Sequence, residues 1–342
     1  MYDYVIVTHI PAFYKVNLYN QLAKKLNIFV IFLAANTNEK RANDFVALND
    51  VSFEYEILFP GNLQERNSSA NIRLLRSILK SFQYKRILVS GWDLREFWYV
   101  IFTNSKSKNC LALESTINES KTTGPQAIIK KIFLSRVSKV FASGTLHREL
   151  LVKLGYKGDV KVTKGVGIIN KPSFDKEARE FRRNFLYVGR LSEVKNLERL
   201  VKVFNSIEDY NLTIIGEGEQ KEYLQKIATS NNIVFKHAIE NKKLKEEFFN
   251  HDIFILPSLV EPWGLVVEEA FYFGLPVVIS QSCGARDIVK NDINGYWIDP
   301  ENIDELISLI QAINSDKYHE LITGVEKFSL NTKDIEQVEA YL

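Results

Sequence analysis

Short apolar runs alternate along this chain with longer stretches in which apolar positions recur every three or four residues. In the first half, "YVIVTH" (4–9), "IFVIFLA" (28–34), "RILVS" (86–90), "CLALE" (110–114) and "KVFAS" (139–143) have the length of strands. Between and after them, "YKVNLYNQLAKKL" (14–26), "PQAIIKKIFLSRV" (125–137) and "TLHRELLVKLG" (145–155) carry the helical period, and the last closes at Gly155. The second half repeats the design. Strand-like "NFLYVGR" (184–190), "NLTIIGEGE" (211–219), "NIVFKH" (232–237), "DIFILPS" (252–258) and "PVVIS" (276–280) alternate with helical "NLERLVKVFNSI" (196–207), "QKEYLQKIATS" (220–230), "KKLKEEFFNH" (242–251) and "GLVVEEAFYFG" (264–274). Such alternation predicts parallel sheets covered by helices on both faces. Periodicity fails between about residues 165 and 179, around Pro172, so a linker is expected there. The expected class is α/β: two Rossmann-like, doubly wound domains, 1–168 and 169–330, whose strand ends face one central cleft.

Composition narrows the picture only modestly. With 46% hydrophobic and 25% charged residues the chain is of ordinary globular type, and 342 residues suffice for two cores. The two cysteines, Cys110 and Cys283, lie far apart, which argues against a disulfide scaffold or a paired-cysteine metal site and suits a reducing cytoplasm. The start, "MYDYVIVTHIPAFYK", lacks the features of a signal peptide, and no run of about 20 apolar residues predicts a transmembrane helix. A cytoplasmic location is therefore expected.

Charge changes the picture more. The net charge of +2 hides 24 Lys and Arg against 13 Asp and Glu in residues 1–168, and 20 against 29 in the remainder. A basic first half suggests an anionic partner, either a membrane surface or a phosphate-bearing acceptor; unevenly charged solvated faces are the alternative. No nucleic-acid partner is expected. The segment 124–139 sets Ile128, Ile129, Ile132 and Phe133 beside Lys130, Lys131 and Arg136. It reads either as a membrane-surface helix, which would make the protein peripheral at the cytoplasmic face, or as a scaffold helix with a basic outer face.

Candidate chemistry gathers in loops that follow strands. In "SLVEPWGLVVEEAFYFGLPVV" (258–278), Glu261 falls in a loop and Glu269 eight residues later falls inside a helix. The unpaired amides of Gly264, Leu265 and Val266 at that helix start suit phosphate oxygens. Glu261 can accept bonds from hydroxyls and Glu269 from a vicinal diol such as a ribose. Glu268 points about 100° away and is the weaker candidate. In "YVGRLSEVKNLERLV" (187–201), Arg190 follows Gly189, and Lys195 lies at the mouth of the next helix; two such cations can clamp a diphosphate. "IIGEGEQ" supplies Gly216 and Gly218 after another strand, a weak phosphate-loop signal by itself.

Together "GRLSEVKN", "IIGEGE", "LPSLVEPWGLVVEEAFYFGLPVV", "GARDIV" and "NGYWIDP" resemble the family 4 retaining glycosyltransferases of the GT-B fold, over about residues 185–300. The resemblance implies that Glu261 contacts the donor sugar and Glu269 the nucleotide ribose. Arg190, Lys195 and the amides of Gly264, Leu265 and Val266 would hold the diphosphate, with Gly189 and Gly216 also among the donor-binding residues. It also implies that "TKDIEQVEAYL" (332–342), taken with residue 331, is a final helix crossing back to the first domain. No Asp-x-Asp occurs, nor a ligand-spaced His, Cys and Asp cluster, so neither a metal nor another cofactor is expected.

The first half departs from better-known members. Where many carry a glycine pair, this chain has "THIPAFYKVNLYNQL", similar to an opening found in enzymes of bacterial surface-polysaccharide synthesis. Lys15 there meets an acceptor phosphate or is solvated, with solvation preferred; His9 and Tyr14 are its companions as acceptor candidates. A family histidine that touches the donor sugar is replaced by Glu114, which either takes over that contact or caps its loop with Ser115. His9 and His147 show no convincing partner, and His147 is expected to be structural or exposed. His237, where the family has glycine, either stacks on the base or is a turn residue.

The resemblance implies a hexose or N-acetylhexosamine transferase that is retaining and metal-independent. It would use a nucleoside-diphosphate sugar, UDP before GDP, and a glycan acceptor that can be lipid-linked, in bacterial lipopolysaccharide O-antigen or capsule synthesis. Glu261, Arg190, Lys195 and Glu114 are its expected catalytic residues. The alternatives are a non-catalytic nucleotide-sugar binder and a glycoside hydrolase using Glu261 and Glu269.

Overall fold

The computed structural model describes residues 1–39, 41–48, 50–175 and 178–342, and divides them into two units, one of residues 1–39, 45–168 and 334–342 and one of 40–44 and 169–333. In the first unit seven parallel strands form one sheet: β1 (Tyr2–Thr8), β2 (Ile28–Phe32), β3 (Glu54–Ile57), β4 (Tyr84–Val89), β5 (Asn109–Leu113), β6 (Lys139–Ala142) and β7 (Asp159–Val162), in the order β3-β2-β1-β4-β5-β6-β7. The chain winds outward from β1 to β3, then returns to place β4 beside β1, so the strand order reverses between β1 and β4.

Each face of this sheet is covered. Helices α1 (Phe13–Ala23), α2 (Ser68–Ser81), α3 (Arg95–Thr103), α4 (Gly124–Ser135) and α5 (Thr145–Lys153) follow in chain order. Leu75, Phe97, Val100, Ala127, Phe133 and Leu150 bring α2 to α5 into one apolar cluster with Val5, Val7, Ile87 and Val89. Val16, Tyr19 and Leu22 of α1 build a second cluster with Tyr4, Ile6, Val30 and Phe32. Alternate residues of β1 thus serve opposite cores, as the two-residue strand period requires. The last nine residues of the chain belong to this unit: Tyr341 stacks on Phe141 at 4.3 Å, and the Tyr4 hydroxyl donates to its carbonyl at 3.2 Å.

The second unit holds six parallel strands: β8 (Asn184–Val188), β9 (Asn211–Ile215), β10 (Ile233–Lys236), β11 (Ile253–Leu256), β12 (Val277–Ser280) and β13 (Gly295–Ile298), ordered β10-β9-β8-β11-β12-β13. Its helices are α6 (Leu197–Ser206), α7 (Lys221–Ile227), α8 (Leu244–Asn250), α9 (Leu265–Tyr272), α10 (Ile303–Ala312), α11 (Ser315–Lys327) and the start of α12 (Leu330–Glu339). Here the order reverses between β8 and β11, the place where open α/β sheets bind ligands at the carboxyl ends of their strands. Among the described residues, no helix is long and apolar enough to cross a membrane.

Candidate functional site

In the second unit the two loops that flank the reversal are those after β8 and β11. The first runs through Gly189 and Arg190 to a 3-10 turn, Glu193–Lys195, ended by Asn196 in a left-handed conformation (φ 58°). The Asn196 side chain donates to the carbonyls of Pro257 at 3.1 Å and Pro300 at 2.6 Å, and Leu259 N–H donates to Val194 at 2.9 Å. These bonds tie the β8 loop to the β11 loop and fix Lys195 opposite Glu261. The Lys195 ammonium donates to a Glu261 carboxylate oxygen, and the two side chains keep only 12% and 13% exposure. Ser258 Oγ donates to the same oxygen at 3.4 Å.

Glu261 is positioned from its backbone as well. Its carbonyl accepts Gly284 N–H at 2.9 Å, and Trp263 accepts Ala285 N–H at 2.8 Å and Cys283 Sγ at 3.0 Å. Gly264 then begins α9 at φ 90°, a conformation that favours glycine, and a Cβ there would meet Cys283 Sγ and Leu256 at 3.1 Å. No side chain caps this helix, so the amides of Leu265 and Val266 carry its positive end beside the Lys195–Glu261 pair.

The two neighbouring glutamates of α9 have unlike roles. Glu268 is wholly buried, accepting Trp263 Nε1 and Lys333 Nζ at 2.7 Å each, and acts as a core ion pair. Glu269 accepts Asn241 Nδ2 at 2.6 Å. Burial, with Glu268 and Asp44 adding to it against the Asn241 bond, pushes its carboxyl up to about 7. Asp44 in turn accepts the amides of Asn241 and Lys242 at 3.0 and 3.1 Å.

The remaining candidates of this unit sort by exposure. Arg190 is exposed, and its carbonyl accepts the Tyr187 hydroxyl at 2.9 Å. Gly216 serves a close approach of two loops, since a Cβ there would stand 1.9 Å from the Gly189 carbonyl oxygen. His237 is 89% exposed, with Nδ1 at 2.7 Å from Glu217 and 3.1 Å from Lys221, at the strand ends of β9 and β10.

The first unit corrects several expectations. Lys15 is not solvated: it is 5% exposed and pairs with Glu114 at 2.7 Å. Burial opposes its charge, yet Glu114 and the Tyr14 and Tyr19 hydroxyls hold its pKa above the usual lysine range. The Glu114 carboxylate is therefore engaged with Lys15. The pair lines a cavity with Tyr19, Ser90, Ser143 and Tyr341. His9 does have a partner, Asp93, 3.1 Å from its Nε2, in the loops after β1 and β4 that flank this sheet's reversal. Sequence reasoning missed Asp93 because nothing in a loop 84 residues away announces the pairing. Tyr14 is half-buried among Phe13 and Phe45. His147 is fully buried, in keeping with the structural alternative, and burial, against the Glu114 charge and the backbone of Glu114 and Gly144, pushes it down to about 4.

Residues 170–328, which contain the whole Lys195–Glu261–Glu269 arrangement, match the family model for glycosyl transferases group 1. This is a group 1 glycosyltransferase domain. An uncharacterized glycosyltransferase of Methanocaldococcus jannaschii is 28% identical over 217 residues, 59% of this chain and 53% of its own length. The chain spans about half or less of the first curated relatives it matches. Among solved structures, the UDP complex of HepE from Anabaena superposes with a TM-score of 0.72 at 14% identity, covering 98% of both chains. The lipopolysaccharide outer core galactosyltransferase WaaB gives 0.71 at 17% identity, again over 98% of both chains. Both likenesses are of fold, and the fold is GT-B. Within the glycosyltransferase domain and the first unit alike, no three His, Cys, Asp or Glu side chains converge as metal ligands among the described residues.

Proposed function

We propose that this protein is a retaining, metal-independent glycosyltransferase that moves a hexose or N-acetylhexosamine from a nucleoside-diphosphate sugar to a glycan acceptor. The observation that carries the reading is the Lys195–Glu261 pair, held across the reversal of a parallel sheet beside the uncapped start of α9. A diphosphate needs cations and amides, a sugar needs a carboxylate among its hydroxyls, and a ribose needs a second; this site offers all three. In the reaction the bond from the anomeric carbon to the diphosphate oxygen breaks and one to the acceptor oxygen forms on the same face. The acceptor proton passes to the departing phosphate, and nucleoside diphosphate leaves. Arg190, Lys195 and the α9 amides stabilise its negative charge in place of a metal ion.

UDP is the preferred donor, in keeping with the UDP bound by the Anabaena neighbour, with GDP the competitor. The basic residues of the first half suit a phosphate-bearing, lipid-linked acceptor at the cytoplasmic face of a membrane, in lipopolysaccharide or capsule synthesis. The likeness to WaaB supports that setting. His9 is the acceptor-side group of this reading, and Glu114, held by Lys15, is its contact to the donor sugar.

Glu269 at about 7 has the protonation a general acid needs, which keeps a hydrolase reading in the test. Thermal unfolding is measured with UDP, GDP, dTDP, CMP and ADP, each with and without EDTA. A ligand at 100 times its Kd stabilises by ~2.7 kcal/mol, roughly 5–10 °C for units of this size. The expected result is a shift with one nucleoside diphosphate, indifferent to EDTA and lost in Glu269→Ala, with sugar transfer from that donor. Cleavage of model glycosides without nucleotide would replace this reading by the hydrolase.

A further inference from the structure

The outer face of α4 carries more apolar surface than the fold uses. Its inward residues Ala127, Phe133 and Leu134 are already buried in the first unit's core. Ile128, Ile129 and Ile132 are left 59%, 51% and 48% exposed on the outside. A single exposed isoleucine is commonplace; three within five residues are not. Phe102, 43% exposed at the end of α3, adds to the same surface, because Trp98 packs against both Phe102 (5.7 Å) and Phe133 of α4 (4.9 Å).

The charges around this strip are mostly basic, with Glu119 a carboxylate that acts on Lys130. Helix α2, the turn at 104–108 and α4 together contain seven lysines and arginines and no carboxylate. Lys121 and Arg136 flank α4, and the Arg136 guanidinium lies 6.0 Å from the Phe102 ring. A second copy of the chain would set these cations against each other across the contact, which disfavours self-association. Anionic headgroups would neutralise them while the isoleucines enter the boundary with the acyl chains.

We propose that the face formed by α4 and the end of α3 is a docking surface for an anionic lipid bilayer. The lipid-linked acceptor reading explains only why a bilayer would be near; the surface itself rests on exposure and charge. Docking is in the interfacial plane, with α4 lying along the membrane, the isoleucines inserted and Lys121, Lys131 and Arg136 at headgroup level. Apolar insertion and electrostatic attraction are then separable, since salt weakens only the second.

The test is co-sedimentation of the full chain with vesicles of phosphatidylcholine alone or mixed with phosphatidylglycerol, at ~0.1 M and ~0.5 M salt. Wild type is expected to bind the mixed vesicles at low salt and less at high salt. Ile128→Glu with Ile132→Glu should weaken binding by about tenfold or more, and Lys121→Glu with Lys131→Glu to a similar degree. The substituted residues are exposed, and an unchanged thermal shift with nucleotide serves as the control for folding in both variants. No binding by wild type, or equal binding by the isoleucine variant, would overturn the proposal. So would a change in self-association of that variant without any vesicle effect, which would assign the face to a second copy. Failure of the nucleotide shift in wild type would count against the transferase reading and leave the vesicle result standing.

Discussion

Glu269 carries a carboxyl that burial moves from an ordinary 4.5 to about 7, and this gives it a pH signature of its own. As pH rises from about 4.5 towards 7, the unfolded chain loses this proton first and the folded one keeps it. The folded state then binds more protons, so its stability falls across that window, by on the order of 3 kcal/mol, and levels off above it. Glu269→Gln should remove this component. Urea unfolding of both proteins at pH 5 and pH 8 checks it: the variant should gain on wild type at the higher pH, and parallel behaviour would show that the group does not titrate there. A ribose diol donating to Glu269 favours the carboxylate, so nucleotide should also bind more tightly at pH 8 than at pH 6. The neighbouring Glu268 instead accepts Trp263 with one oxygen and Lys333 with the other. Sequence periodicity placed these two glutamates on different faces of one helix, but only the packing around each separates a site group from a core ion pair.

Helix α9 depends on how it begins. Its first residue follows Gly264, whose φ of 90° turns the chain from the Glu261 loop into the helix. Gly264→Ala would force a side chain into that conformation and against Cys283 and Leu256, at a cost of about 1–3 kcal/mol. The expected outcome is a lower melting temperature together with weaker nucleotide binding, measured by the same thermal shift; retained affinity would mean that the helix start does not contact the ligand. Elements of this kind were legible because apolar runs announce β8, β11 and β12 and a glycine announces each end of α9. The edge strands β3 and β7 were not, since "EYEI" and "DVKV" lack an apolar run and only the edge pairings to β2 and β6 make them strands. The 3-10 turn before Asn196 was equally hidden, because its geometry is set by carbonyls of Pro257 and Pro300 far along the chain.

Each unit has its own sheet and core, but the first is completed by the last nine residues of the chain. Val338 and Tyr341 are buried in its second cluster, and Lys164 pairs with Glu336 at 2.6 Å. Removing residues 334–342 should therefore destabilise the first unit by at least the ~3–5 kcal/mol of a lost buried aromatic. The glycosyltransferase domain, whose site residues lie at 189–269, should keep its nucleotide-dependent shift. Calorimetry with and without nucleotide separates the two transitions; loss of the nucleotide shift on truncation would show that the site depends on those residues.

By itself the sequence determined the class of fold, the alternation of elements and the loops in which to look, because strand and helix periods are local properties of neighbouring side chains. It also supplied Glu261, Lys195 and Glu269, through residue types that bind sugars and phosphates. Tertiary structure decided which of these groups meet and in what state. Lys195 pairs with Glu261 because two loops 66 residues apart flank one reversal of strand order. His9 finds Asp93 by the same geometry in the other sheet, and Lys15 lies buried against Glu114 where the sequence read a solvated lysine. Long-range pairing and burial arise only when distant segments pack together, and one-dimensional periodicity carries no record of them.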